Sequence, residues 1–525
     1  MRRERTLIGL TVAAILLLAA CGAPTPTQAP PEVAPAETEA PAAPTVAPAV
    51  QPTQAVAAIA IAIGGDPTTL DPQAADDGNE RAVNDNIYET LLTRDQAMKI
   101  VPLLAESYEQ IDDTTWRFHL RSGVSFTNGE PLVADAVVFS VERIIDPEYN
   151  SEQLSFFETV SGAKAVDEMT VDITTAGPDP ILPARMYWLK IVPPEYASAD
   201  SATFAEHPIG TGPYRFVSWT RGTEIKLEAN PDYWGGRPPI DQVTVRVIPE
   251  ESTRLAALQA GEVDLVRDLL PEQIDLAPNA KHTPGLEFPI VRLNNKTGIL
   301  TDARLRQAMN YAVDKEAIAE ALYGGYAVVA QAQVLTPGHF GFNPEVEAYP
   351  YDPDKARQLL ADAGYDGSEI VFVGEAGRWL KDRELIEAVA AQLTDVGFNI
   401  RVDIYEWSKY LDYLFSEEEQ PAMIYVSNDN PLMDADRTFS GYYSCTGRVS
   451  SYCNDRVTQL IDEGRTETNV AKRLSMYHEV VKLSHDDAAF IFLVNLENIY
   501  GLSPRLQWEP RLDGRILMKD MTLSE

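Results

Sequence analysis

Small and large apolar residues take turns along residues 56–63, Val-Ala-Ala-Ile-Ala-Ile-Ala-Ile, the period-two pattern of a strand. Gly64-Gly65-Asp66-Pro67 ends it in a turn. Residues 116–121 alternate as a half-buried strand closed by Ser122-Gly123, and Thr127-Asn128-Gly129-Glu130 has hairpin-turn chemistry. A helix follows over 134–145, halted before Pro147, and residues 225–228 and 243–247 again read as strands. Beyond residue 300 the apolar period lengthens to that of helices, over 302–312, 315–322, 353–364, 383–396, 457–463 and 471–483, with a strand at 399–404. Asp352-Pro353 supplies an N-cap with proline in the first turn, and Gly364 and Gly397 are stop signals. Helices interleaved with strands predict α/β layers, and no internal repeat is visible.

The first 55 residues do not fit this pattern. Arg2, Arg3 and Arg5 precede an apolar run over 7–18, which is short for a bilayer core of about 30 Å and reads as a signal peptide over 1–20. The run ends in Leu18-Ala19-Ala20-Cys21, which resembles a bacterial lipobox and implies lipidation of Cys21. An ordinary signal peptide and an uncleaved membrane helix are the alternatives. Residues 22–55 are rich in Pro, Ala, Thr and Glu and poor in large apolar groups, as expected of a disordered tether over 21–55. A chain of 525 residues exceeds one compact core and suggests two or three domains. Its formal charge of -36 repels nucleic acid and anionic lipid headgroups, so neither is an expected partner. Three cysteines (Cys21, Cys445, Cys453) form no disulfide framework or zinc pattern, and the six histidines show no H-x3-H or H-E-x-x-H spacing. With no G-x-S-x-G elbow and no P-loop either, no catalytic residue, metal or cofactor is expected.

A series of motifs in the body resembles solute-binding protein family 5, the large peptide- and nickel-type receptors of ABC importers. Pro67-Thr68-Thr69-Leu70-Asp71-Pro72 opens the series, followed by Leu104-Ala105-Glu106-Ser107-Tyr108. Phe118-His119-Leu120-Arg121-Ser122-Gly123 through Ala134-Asp135-Ala136-Val137 is similar to the family's long descriptor, with Ala136 where a second acid is usual. Gly210-Thr211-Gly212-Pro213-Tyr214, Asn230-Pro231-Asp232-Tyr233-Trp234 and Arg306-Gln307-Ala308-Met309-Asn310-Tyr311-Ala312 continue in the family's order. The resemblance covers about residues 61–500. It implies a two-lobed clamp of the periplasmic-binding-protein type (type II, cluster C) with a subdomain inserted in the first lobe. By analogy the first lobe takes 56–99, 208–291 and 497–525, the insertion 100–207, and the second lobe 292–496. The implied role is that of a monomeric, extracytoplasmic, lipid-anchored receptor. It takes oligopeptides or dipeptides to an ABC permease and ATPase complex by hinge closure. Nickel chelates, sugars, opines or glutathione are alternative cargoes, and a secreted hydrolase or an adhesion protein are alternatives of other classes.

The resemblance also implies site residues. A tryptophan in the position of Trp407 lines the cleft of peptide-binding relatives, where an indole offers a broad apolar wall and one N–H donor. These relatives pair an aspartate with the ligand's ammonium, and Asp429, in Tyr425-Val426-Ser427-Asn428-Asp429, is the nearest acid. Tyr425 joins it as a candidate contact. Independently of the resemblance, Arg378 follows the strand at 370–373, and a strand end makes it a candidate partner for a ligand carboxylate, with a solvated side chain as its alternative. Tyr88 is a candidate from the first lobe, with helix packing as its alternative. Cys445 and Cys453, eight residues apart, are expected to form a local disulfide in an exported protein.

Overall fold

The computed structural model describes residues 56–416 and 420–524. The signal peptide, the Cys21 lipidation site and the tether expected from the sequence lie outside the described residues. Two sheets organise the body. In the first, Ala58–Ile63 is central and parallel to both neighbours, Gln242–Val247 and Leu265–Arg267. Its alternation is used on both faces. Ile59, Ile61 and Ile63 enter one core, while the small Ala62 lets helix Glu251–Gln259 approach through Leu255 and Leu258 on the other. The second sheet runs in the order Ile400–Tyr405, Ile370–Glu375, Met423–Asp429, Glu287–Leu293, Phe490–Phe492. Helices Ala303–Ala312 and Asp382–Asp395 cover one face, and Trp407–Leu414, Asp455–Thr466 and Val470–Asp486 the other. Asp352 caps helix Pro353–Ala363 by accepting from the Lys355 amide, and Gly364 ends it in the left-handed region at φ 69°.

The insertion is a four-stranded antiparallel sheet, in the order Ala105–Asp112, Thr115–Leu120, Thr170–Thr175, Val160–Asp167, packed on helix Ala134–Ile145. Its core already includes Leu91 and Leu92 and ends at Ile191, since Val192, Ala197 and Phe204 pack in the first lobe. The insertion therefore spans about 91–191 rather than 100–207, because the apolar side chains change core there.

The chain passes between the sheets twice, from Asn279–Pro284 into Glu287–Leu293 and from Phe490–Phe492 into Val494–Leu502. The first changeover falls at Gly285-Leu286, ahead of the boundary expected at 291, whereas Val494 and Leu496 still pack in the second lobe's core and pair with Ala327–Val329, which keeps the second changeover near the expected 496. Residues 288–293 are all buried, as suits a central strand of the second lobe. The two crossings are tied together. Gly285 N–H donates to the Leu496 carbonyl (2.9 Å), and Asn495 Nδ2 donates to the carbonyls of Gly285 (3.0 Å) and Glu287 (3.1 Å). Among the described residues no helix is long and apolar enough to cross a membrane.

Candidate functional site

Strand Met423–Asp429 buries its first six residues and exposes its last, Asp429. Strand ends of an α/β sheet are open because the covering helices stop there. Asp429 lies opposite Glu287, the first residue beyond the hinge, and two cavities meet at its carboxylate. The larger, about 460 Å³, lies between Ser155, Glu158 and Arg185 of the insertion and Arg437, Tyr442 and Arg465 of the second lobe. The smaller, about 220 Å³, places Arg81, Arg267 and Arg515 of the first lobe across from Glu287 and Asp429. The larger is in the range of about 300–1,000 Å³ that small-ligand sites occupy. Among the described residues Asp429 has no ion pair, so its charge is available to a ligand. Burial pushes the Glu287 carboxyl up; Asp429 and Asp268 raise it further, while Arg378 acts the other way. Glu287 thus has both Asp429 and Arg378 as charged neighbours.

The lobes are bridged around these cavities. Trp188 Nε1 donates to the Pro431 carbonyl (3.3 Å) and Arg94 Nη2 to the Leu432 carbonyl (2.7 Å), with the Leu432 side chain inside the insertion's core. Arg465–Glu158 (3.1 Å) and Lys381–Glu272 (3.0 Å) add ion pairs across the gap.

Trp407 begins helix Trp407–Leu414, capped by Glu406, whose carboxylate accepts from the amides of Ser408 (3.0 Å) and Lys409 (2.8 Å). Its half-buried ring stacks on Tyr410 at 5.4 Å and meets Trp379 edge-on at 5.8 Å. The exposed Arg378 guanidinium lies 4.3 Å above the Trp407 ring. Gly377, at φ 105°, makes the turn that presents it, and Asp382 Oδ2 accepts from the amides of Gly377, Arg378 and Trp379 at 2.8, 3.1 and 3.0 Å. Beside this turn, burial and the Asp382 carboxylate push Glu375 up to about 7. Trp407 and Arg378 therefore form one cation–aromatic platform, outside the two cavities that meet at Asp429.

Two sequence candidates need correction. Tyr425 is 0% exposed and sits in the core of the second lobe, edge-on to Trp379 at 5.6 Å. It shares a strand face with Asp429, but helices still cover the sheet at that depth. Tyr88 is 2% exposed, donates to the Leu70 carbonyl (3.3 Å), packs against Phe204 and lines neither cleft cavity. Sequence reasoning missed Glu287, Arg437 and the arginines at 81, 267 and 515. They come from five separate segments, and no local pattern marks them. Cys445 and Cys453 are joined by a disulfide. The loop it closes supplies Thr446, Gly447, Arg448 and Val449 to the wall of the larger cavity.

Residues 99–450 match the model of bacterial extracellular solute-binding proteins, family 5 Middle. Heme-binding protein A of Haemophilus influenzae is 31% identical over 455 residues, 78% of this chain and 81% of its own. The dipeptide-binding protein of Escherichia coli is 30% identical over 436 residues, 76% of this chain and 81% of its own. Among solved structures, HbpA2 from Haemophilus parasuis has a TM-score of 0.80 at 25% identity, covering 89% of this chain and 100% of that one.

Proposed function

The chain belongs to the bacterial extracellular solute-binding proteins of family 5, and on that premise we propose that it captures short peptides by their free amino terminus and passes them to an ABC permease and its ATPase. The observation that carries the reading is Asp429, a carboxylate without an ion-pair partner among the described residues, at the meeting point of two interlobe cavities. An α-ammonium there would gain charge-assisted hydrogen bonds in a partly water-excluded site. Arg378, fixed by the Asp382 cap, would take the ligand's terminal carboxylate, and Trp407 beneath it would form an apolar wall. The existence of a dipeptide-binding relative supports the same cargo class.

The protein works by binding and release, without altering its cargo, and as a monomer. Cleavage before Cys21 and acylation of that cysteine would hold it outside the cytoplasmic membrane, with residues 22–55 as a tether. Titration calorimetry with dipeptides and tripeptides tests the cargo. Asp429→Asn is expected to weaken binding by about ten- to a hundredfold, the ~1.5–3 kcal/mol of a hydrogen bond to a charged group. Unchanged affinity in that variant would remove Asp429 from the site.

A further inference from the structure

Acids outnumber bases in this chain by 79 to 43, yet the larger cleft cavity is lined by four arginines and four acids. Local enrichment in cations on so acidic a protein needs a reason, and ion pairing and exposure narrow it to one side chain. Arg185 is held by Asp179 at 2.7 Å. Arg465 is shared between Glu158 at 3.1 Å and Asp436 at 3.4 Å. Arg448 is exposed and lies over Phe415 at 4.4 Å. Arg437 remains. It is half-buried, its guanidinium stacks 4.6 Å from the centre of the Phe156 ring across the cleft, and its N–H donors meet no acceptor among the described residues.

A guanidinium laid on a ring keeps its donors at the edge, in the fork that matches a carboxylate. Leaving such donors unmet while half-buried is unfavourable, and an anionic ligand group would relieve it. Arg437 also stands in the same cavity wall as Asp429. The cavity thus has an anionic anchor and, apart from it, a cationic one.

We propose that Arg437 is a specificity-determining residue, receiving the side-chain carboxylate of an acidic residue in the bound peptide, so that the receptor prefers peptides carrying Asp or Glu over neutral ones of the same shape. This rests on the reading of Asp429 as the amine anchor, which frees the cavity beyond it for a side chain.

Calorimetry with three pairs of tripeptides, alanine throughout except for Glu or Gln at position one, two or three, tests the preference. Wild-type protein is expected to bind at least one Glu peptide tenfold or more tighter than its Gln partner. Arg437→Gln should erase that ratio by weakening the Glu peptide toward its Gln partner, Arg437→Lys should keep part of it, and Arg401→Gln, at an exposed arginine that lines neither cavity, should keep all of it. Equal affinities within all three pairs would overturn the assignment while leaving the amine anchor standing. So would an Arg437→Gln variant that weakens both members alike, the mark of a bridge through Phe156 instead. If no tripeptide binds wild-type protein, the peptide reading and this inference fall together.

Discussion

Tyr425 and Asp429 lie four residues apart on one face of one strand, yet one is sealed in the core and the other open to the cleft. The Tyr425 hydroxyl is buried without a hydrogen-bond partner among the described residues. Tyr425→Phe removes that unmet donor, and urea denaturation is expected to show stability unchanged or raised by up to about 1 kcal/mol. Peptide affinity should be unaltered; a loss of affinity would return Tyr425 to the site. Glu375 makes a second residue-scale test. Its carboxyl is raised from 4.5 to about 7, first by burial and then by Asp382, with Arg378 acting the other way. The folded state therefore holds this proton more tightly than the unfolded state does. Wild type should lose stability relative to Glu375→Gln as pH rises from about 4.5 to 7, with the difference constant above. Glu80, also raised to about 7, and His339, lowered to about 4, titrate alike in both proteins and cancel in the comparison. Thermal melts of the pair across pH 4.5–8 measure it, and a flat difference would contradict the assignment.

At the scale of elements, what was legible followed local chemistry. The alternation at 56–63 marks a strand because it has a face in each of two layers, and Asp352-Pro353 marks a helix start because the cap and the proline act within one turn. The analogy puts most of the hinge strand in the first lobe, whereas the fold puts it in the second. Its run Phe288-Pro289-Ile290-Val291-Arg292-Leu293 does not alternate, so no face of it marks which core it enters. In the fold Arg292 is 0% exposed and donates to Ser451 Oγ at 2.6 Å, a partner 159 positions away that no local pattern reveals. Asp429 is a candidate from sequence only as the acid nearest to where the family's motif places one, whereas Arg437 and Glu287 carry no local signal, since their meaning depends on which distant segments face them. The Cys445–Cys453 disulfide also acts at this scale. Replacing both cysteines by serine should cost about 2–3 kcal/mol in the chain-entropy model for so short a loop, read by urea denaturation. Two free thiols in non-reducing mass mapping of the native protein would contradict it.

Across the whole molecule, two sheets are joined by two crossings tied through Gly285 and Asn495, so a few backbone torsions can turn one lobe against the other. The bridges at Pro431, Leu432 and Glu158 hold the second lobe against the insertion in this arrangement. Small-angle scattering is expected to show a smaller radius of gyration in protein saturated with peptide than in protein stripped of it. On the proposed reading, closure alone does not select the cargo: a free ammonium at Asp429 does. The most direct measurement is calorimetry of one peptide in two forms, with its amino terminus free and with it acetylated. Binding of the free form, with at least tenfold weaker binding of the acetylated form, is the predicted result. Equal affinity for the two would contradict the account.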